Sequence, residues 1–162
     1  MSGAWMLFTG SAGTRRIGTF FRSDAGIAST NAGPLPDRFD ALTKLRWRTR
    51  MDSGQSTPIV SNGRIFLTTY RAAERELATV ALDQKTGQLL WKQKVPTERI
   101  EEFHPVTGNP AAATPACDGE RMFVFFGSYG LICYDLAGRK LWEHALGPFR
   151  DEYGASSSPM LL

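Results

Sequence analysis

The chain has 162 residues, 42% apolar and 22% charged, with a formal net charge of +3. That make-up excludes disorder and collagen-like structure and fits an ordinary globular protein. No apolar run approaches the roughly 20 residues needed to cross a bilayer, and Trp5-Met6-Leu7-Phe8 is too short for the apolar region of a secretory signal.

Residues 1–43 are rich in Gly, Ser, Ala and Thr, carry Pro34 and Pro36, and show no sustained period. This composition predicts an irregular N-terminal segment with a short strand near Gly18 to Arg22. From 44 onward the pattern changes. Lys44, Arg46, Arg48 and Arg50 alternate with Leu45, Trp47, Thr49 and Met51, which places cations and apolar groups on opposite faces of a strand. A nucleic-acid patch is one reading. The solvated outer face of an outermost strand is the better one, since no aromatic platform or binding module accompanies the charges.

Two hairpin signals follow, each made of two apolar runs joined by Asn62-Gly63 or Asp118-Gly119. Strands are expected at Thr57–Ser61, Arg64–Tyr70, Leu77–Asp83 and Leu89–Val95, then at 113–117, 121–127 and 130–134. Each set continues into a second turn. Ala81-Leu82-Asp83-Gln84-Lys85-Thr86-Gly87-Gln88-Leu89-Leu90-Trp91 is echoed by Cys133-Tyr134-Asp135-Leu136-Ala137-Gly138-Arg139-Lys140-Leu141-Trp142. In both, Asp can accept from backbone N–H groups ahead of it, Gly can take positive φ, and Trp supplies a large apolar surface at a fixed place. The second turn is one residue shorter. A further copy starts at Ser158-Pro159-Met160-Leu161, and Leu45-Arg46-Trp47 is the tail of a preceding one. Trp47, Trp91 and Trp142, with Pro58, Pro115 and Pro159, recur at about 44 to 57 residues, the range of four-stranded propeller blades.

Ala81, Asp83, Thr86, Gly87 and Trp91 match the tryptophan-docking motif of quinoprotein-like propellers, and Asp135, Gly138 and Trp142 repeat its main positions. The chain resembles part of a PQQ-like (pyrroloquinoline-quinone-like) β-propeller repeat protein. The resemblance implies an all-β fold: a partial β-propeller of four-stranded antiparallel blades at about 54–95 and 110–146, with a partial blade from 154, within repeats spanning 44–162. Blades of ~50 residues, set against the 4 to 8 that close a ring, predict a fragment of a longer protein or self-association through open blade faces. Relatives are commonly periplasmic or extracellular. No signal peptide is read in this chain, so the compartment stays open.

Cys117 and Cys133 fall on strands separated by a third, roughly 9 to 10 Å apart, whereas a disulfide needs Cα atoms within about 7 Å. Both read as small buried apolar residues. In an up-down meander the tight turns share one end, and the insertions, Arg71 to Glu76, Pro96 to Pro110 and Gly147 to Ser156, share the other. Long polar loops gathered on one face are where binding usually resides. That face holds Glu98, Arg99, Glu101, Glu102, His104, Arg150, Asp151, Glu152 and Tyr153. His104 beside Glu101 and Glu102 could form an acid–base or metal cluster, yet the three share one loop without a second His, and solvated charge is the preferred reading. Ser156-Ser157-Ser158 lacks the Gly-x-Ser-x-Gly setting of a nucleophile elbow.

Two functions stay in play. The first is a non-catalytic module that binds a protein or small ligand on the long-loop face, by analogy with a scaffold lipoprotein of outer-membrane assembly; no cofactor, nucleic acid or membrane span is expected. The second, implied by the resemblance, is part of a PQQ- and Ca²⁺-dependent alcohol or sugar dehydrogenase. The chain lacks the adjacent paired cysteines of such enzymes, and none of their cofactor-facing residues can be placed on it.

Overall fold

The computed structural model describes residues 45–150, 153–155 and 157–161. The expected short strand near Gly18 to Arg22 lies outside them. Eight strands form two antiparallel sheets, and the described residues contain no helix. The first sheet runs in the order β1 (Ile59–Ser61), β2 (Arg64–Arg71), β3 (Glu76–Asp83), β4 (Leu89–Lys94); the second runs β5 (Ala116–Cys117), β6 (Arg121–Phe126), β7 (Gly130–Asp135), β8 (Lys140–Ala145). Each is a meander of neighbours, as in a propeller blade. Arg71 and Glu76 pair as the last rung of β2 and β3, so the insertion expected there shrinks to four residues.

Local chemistry explains the turns. Asn62 and Gly63 both take positive φ, 49° and 73°, the conformation a two-residue hairpin with the right twist requires. At the second turn the Asp83 carboxylate oxygen accepts from the N–H groups of Lys85 and Thr86 and from the Thr86 hydroxyl, at 2.8–2.9 Å. Gly87 N–H then closes on Asp83 C=O at 2.8 Å. In the second sheet Gly138 N–H closes on Asp135 C=O at 3.0 Å, one residue sooner. The Arg139 guanidinium, 3.1 Å from Asp135, takes the bracing role that the Thr86 hydroxyl has in the first.

The Leu-Trp pairs acquire a geometric meaning. Ala81 pairs with Trp91 but Leu82 pairs with Leu89, leaving Leu90 as the extra residue of a bulge. Cys133 pairs with Trp142 and Tyr134 with Lys140, leaving Leu141 in the same place. A bulge re-aims its neighbour. Trp91 reaches beyond its own sheet: its indole N–H donates to Leu136 C=O at 3.0 Å, and the ring lies over Gly138, where an added Cβ would sit 2.7 Å from it. Trp47 repeats this one unit earlier, donating to Gln84 C=O at 3.0 Å and covering Gly87. The glycines are thus needed twice, for positive φ (70° and 87°) and for the missing Cβ.

The core lies between the sheets. Phe66, Leu77, Met122, Val124, Phe126, Ile132 and Tyr134 are buried in one cluster, and Trp91 packs on its rim against Phe66 at 5.9 Å and Tyr134 at 6.0 Å. Along β6 only Met122, Val124 and Phe126 are buried; Phe123 and Phe125 are half-buried and pack on Trp142 and Phe149. Ahead of β1 and β5, Thr57 N–H donates to the Thr114 hydroxyl and Thr114 N–H to the Ser158 hydroxyl, both at 3.0 Å. Each of the three precedes a proline, which holds it extended. Cys117 and Cys133 are free and buried, with β6 between their strands, and burial pushes the Cys133 thiol up to about 11.

Truncating Trp91 to Ala should cost about 3 kcal/mol, the lower end for a large aromatic because the ring is only partly covered. Chemical denaturation measures it. An unchanged midpoint would contradict the docking role.

Candidate binding face

Two surface regions carry concentrated chemistry. The first lies where residues 45–56 cross the first sheet. From Arg46 to Met51 this segment keeps the expected alternation, with Arg46, Arg48 and Arg50 exposed and Trp47, Thr49 and Met51 half-buried, but Leu45, expected on the apolar face, is exposed. The segment forms no ladder, however, only an isolated bridge between Ser53 and Tyr70. It is fastened by side chains instead. Asp52 receives the Arg71 guanidinium through two bonds, 3.0 and 3.2 Å, and Lys92 Nζ at 2.9 Å. Lys92 and Lys94 also pair with Glu76. The bonds from Arg71 and then Lys92 hold the Asp52 carboxyl below its usual range, and those from Lys92 and Lys94 do the same for Glu76. A groove of about 350 Å³ lies between this segment and β3–β4, lined by Arg50, Asp52, Arg71, Val80, Leu89 and Lys92 among others. Of its cations, Arg71 is engaged by Asp52, and Lys92 by Asp52 and Glu76, so the region reads as a clamp.

The second region is the end of the sheets opposite the tight turns. The connection from β4 to β5 and the one leaving β8 meet the β6–β7 turn there. Thr97 hydroxyl bonds Ser128 C=O at 3.0 Å, Glu101 N–H bonds the Ser128 hydroxyl at 3.1 Å, and Phe149 N–H bonds Gly127 C=O at 2.9 Å. Glu101 is only 4% exposed, which overturns the solvated reading for this residue. Its carboxylate accepts Ala155 N–H at 3.1 Å and occupies the space a Cβ at Gly127 would need. A buried carboxylate must be hydrogen-bonded to be tolerated, and here it ties one long connection to the next.

His104 stacks on Tyr153 with ring centroids 6.1 Å apart and planes 14° apart. Arg99, Glu102, Pro148, Phe149 and Arg150 surround a small cleft of about 20 Å³. Glu98, Arg99, Glu102, Arg150 and Tyr153 are exposed and His104 is half-buried; Asp151 lies outside the described residues. The structure therefore brings His104 to Tyr153, and Arg99 and Glu102 to Arg150, while Glu98 stands apart from those groupings. Gly127, Ser128 and Phe149 also build this end. Gly127-Ser128 signals a turn, but nothing in the sequence gives away its contact with Glu101. The docking residues Asp83, Thr86, Gly87, Asp135 and Gly138 all belong to the tight-turn end, with Ala81, Trp91 and Trp142 on the strands leading to it. Among the described residues no three His, Cys, Asp or Glu side chains are grouped to hold a metal ion, and no helix is long and apolar enough to cross a membrane.

Residues 38–157 match a family model of PQQ-like repeats described as outer membrane protein assembly factor BamB. No curated protein matches the chain.

Because Asp52 and Glu76 have depressed folded values, their contribution is complete above the ordinary carboxylate range and is lost as pH falls through those values. Stability should therefore drop as pH falls below the ordinary carboxylate range. Asp52→Asn should be less stable than wild type at neutral pH and lose less on acidification. Thermal melts at several pH values test this, and parallel curves for the two proteins would contradict the clamp.

Proposed function

Because the chain belongs to the PQQ-like repeat family, we propose that it is a non-catalytic propeller module that binds a protein or peptide on its long-loop end. The observation that carries this reading is the convergence of two successive connections into one ordered surface, through Glu101 on Ala155 and His104 on Tyr153. At the other end the turns are engaged by the fold itself, since Trp47 and Trp91 cover those at Gly87 and Gly138. The long-loop end presents Tyr153, 64% exposed, and Phe149, 40% exposed, beside Arg99, Arg150 and Glu102. Exposed aromatics flanked by arginines are the composition of energetic centres in protein interfaces. A scaffold role in envelope assembly is the setting that the family description suggests.

The cysteines count against the quinone-dehydrogenase reading. Cys117 and Cys133 sit on strands separated by β6, so they cannot supply the adjacent pair that the resemblance implies for such an enzyme.

Cross-linking of the full-length protein in its native cell extract, followed by mass spectrometry, tests the proposal. Wild type and a tight-turn variant, Lys85→Glu, should capture the same partner, and Tyr153→Ala combined with Arg99→Glu should lose it. Loss confined to the tight-turn variant would refute the assignment, as would dye-linked alcohol or sugar oxidation that depends on added PQQ and Ca²⁺.

A further inference from the structure

His104 organises the turn that follows it through one ring nitrogen. Nδ1 lies 3.3 Å from Val106 N–H, 3.2 Å from Thr107 N–H and 2.9 Å from the Thr107 hydroxyl. A backbone N–H can only donate, so Nδ1 is the bare acceptor and Nε2 carries the ring proton. The backbone closes the same turn, with Gly108 N–H on His104 C=O at 2.8 Å. From there the turn is tied to the 53–56 segment: Gln55 side-chain N–H donates to Thr107 C=O at 3.1 Å, and Asn109 reaches the Ser53 hydroxyl at 3.4 Å. One imidazole acceptor thus sits at the head of a network that shapes the rim of the long-loop end.

We propose that His104 is a proton-operated switch of this rim: the neutral ring holds residues 105–108 in their turn, and protonation releases them. A proton at Nδ1 converts the acceptor into a donor and a cation. The Thr107 hydroxyl can rotate to accept from it, but the N–H groups of Val106 and Thr107 cannot reverse. Both lose their partner and face positive charge, which opens the turn. The stack on Tyr153 survives, because a cation over an aromatic face is attracted to it. The ring stays and the turn leaves. Imidazole is the side chain whose charge changes within roughly pH 5 to 8.

The titratable groups around His104 do not substitute for it. Tyr153 faces it across the stack, Glu101 is engaged by Ala155 N–H, and Glu102 is exposed. Gln55 and Ser53, which reach the turn from the 53–56 segment, carry no titrating group, and Asp151 and Glu152 lie outside the described residues. That the switch alters partner binding rests on the function proposed above; the opening of the turn does not.

The test uses the full chain labelled with ¹⁵N and needs no partner. Between pH 8 and pH 5 the amide signals of Val106 and Thr107 should move upfield together, following the titration of the His104 ring, while Ala155 N–H, held by Glu101, stays. In His104→Asn the side-chain oxygen can cap the same turn without titrating, and the two amides should hold still over that range. Amides that do not move while the ring titrates in wild type would overturn the proposal, as would equal movement in the variant.

Discussion

The docking of an indole from one sheet onto the second turn of the next is the contact on which the rest of the structure depends. It couples three local choices that would otherwise be independent. Gly at positive φ makes the turn and leaves its surface bare, Asp pulls the turn's N–H groups inward so that a carbonyl points out, and a bulge at Leu90 aims Trp91 at that carbonyl. Because the arrangement at Trp47 repeats at Trp91, the geometry between successive units is set by one local motif rather than by the details of each core.

A second link nearer the centre constrains the opposite edge of each sheet. The pre-proline hydroxyls of Thr114 and Ser158 each accept the amide of the preceding unit. With the indole on one strand edge and the hydroxyl on the other, a unit is held at two points and has little freedom to slide. The loops of the far end add to this packing, with Ile100 in the core cluster and Phe103 edge-on to Tyr70. That end is also where Glu101 and His104 build a surface from otherwise irregular chain.

Most of the strand plan could be read directly from the sequence, because turn chemistry marked it. Asn62-Gly63, Asp83 with Gly87, and Asp118-Gly119 each demand a backbone geometry that few other residues supply, and the strands begin and end within about two residues of where those turns place them, except that the strand expected at 113–117 shrinks to Ala116–Cys117. The bulges were not legible, since they depend on register between strands. Nor was the missing ladder at 45–50, because alternation reports faces and says nothing about a neighbouring strand. Glu101 shows the limit for the site. A carboxylate in a polar loop looks solvated, and only the meeting of that loop with Ala155 and Ser128, residues 54 and 27 positions away, makes it buried. The pairing of His104 with Tyr153 was hidden for the same reason, although both were placed on one face.

A double-mutant cycle between Trp91 and Gly138 measures the central contact most directly. In Gly138→Ala the new Cβ meets the indole and the φ of 87° is strained, whereas in the double mutant the obstructing ring is gone. The account predicts that the double mutant is less destabilised than the sum of the singles by about 1 to 2 kcal/mol. Gly63→Ala serves as the control, because its φ of 73° is similar but nothing lies within 4 Å of its added Cβ, and it should be additive with Trp91→Ala. Additivity at Gly138 to within about 0.5 kcal/mol would mean that the indole does not rest on that turn.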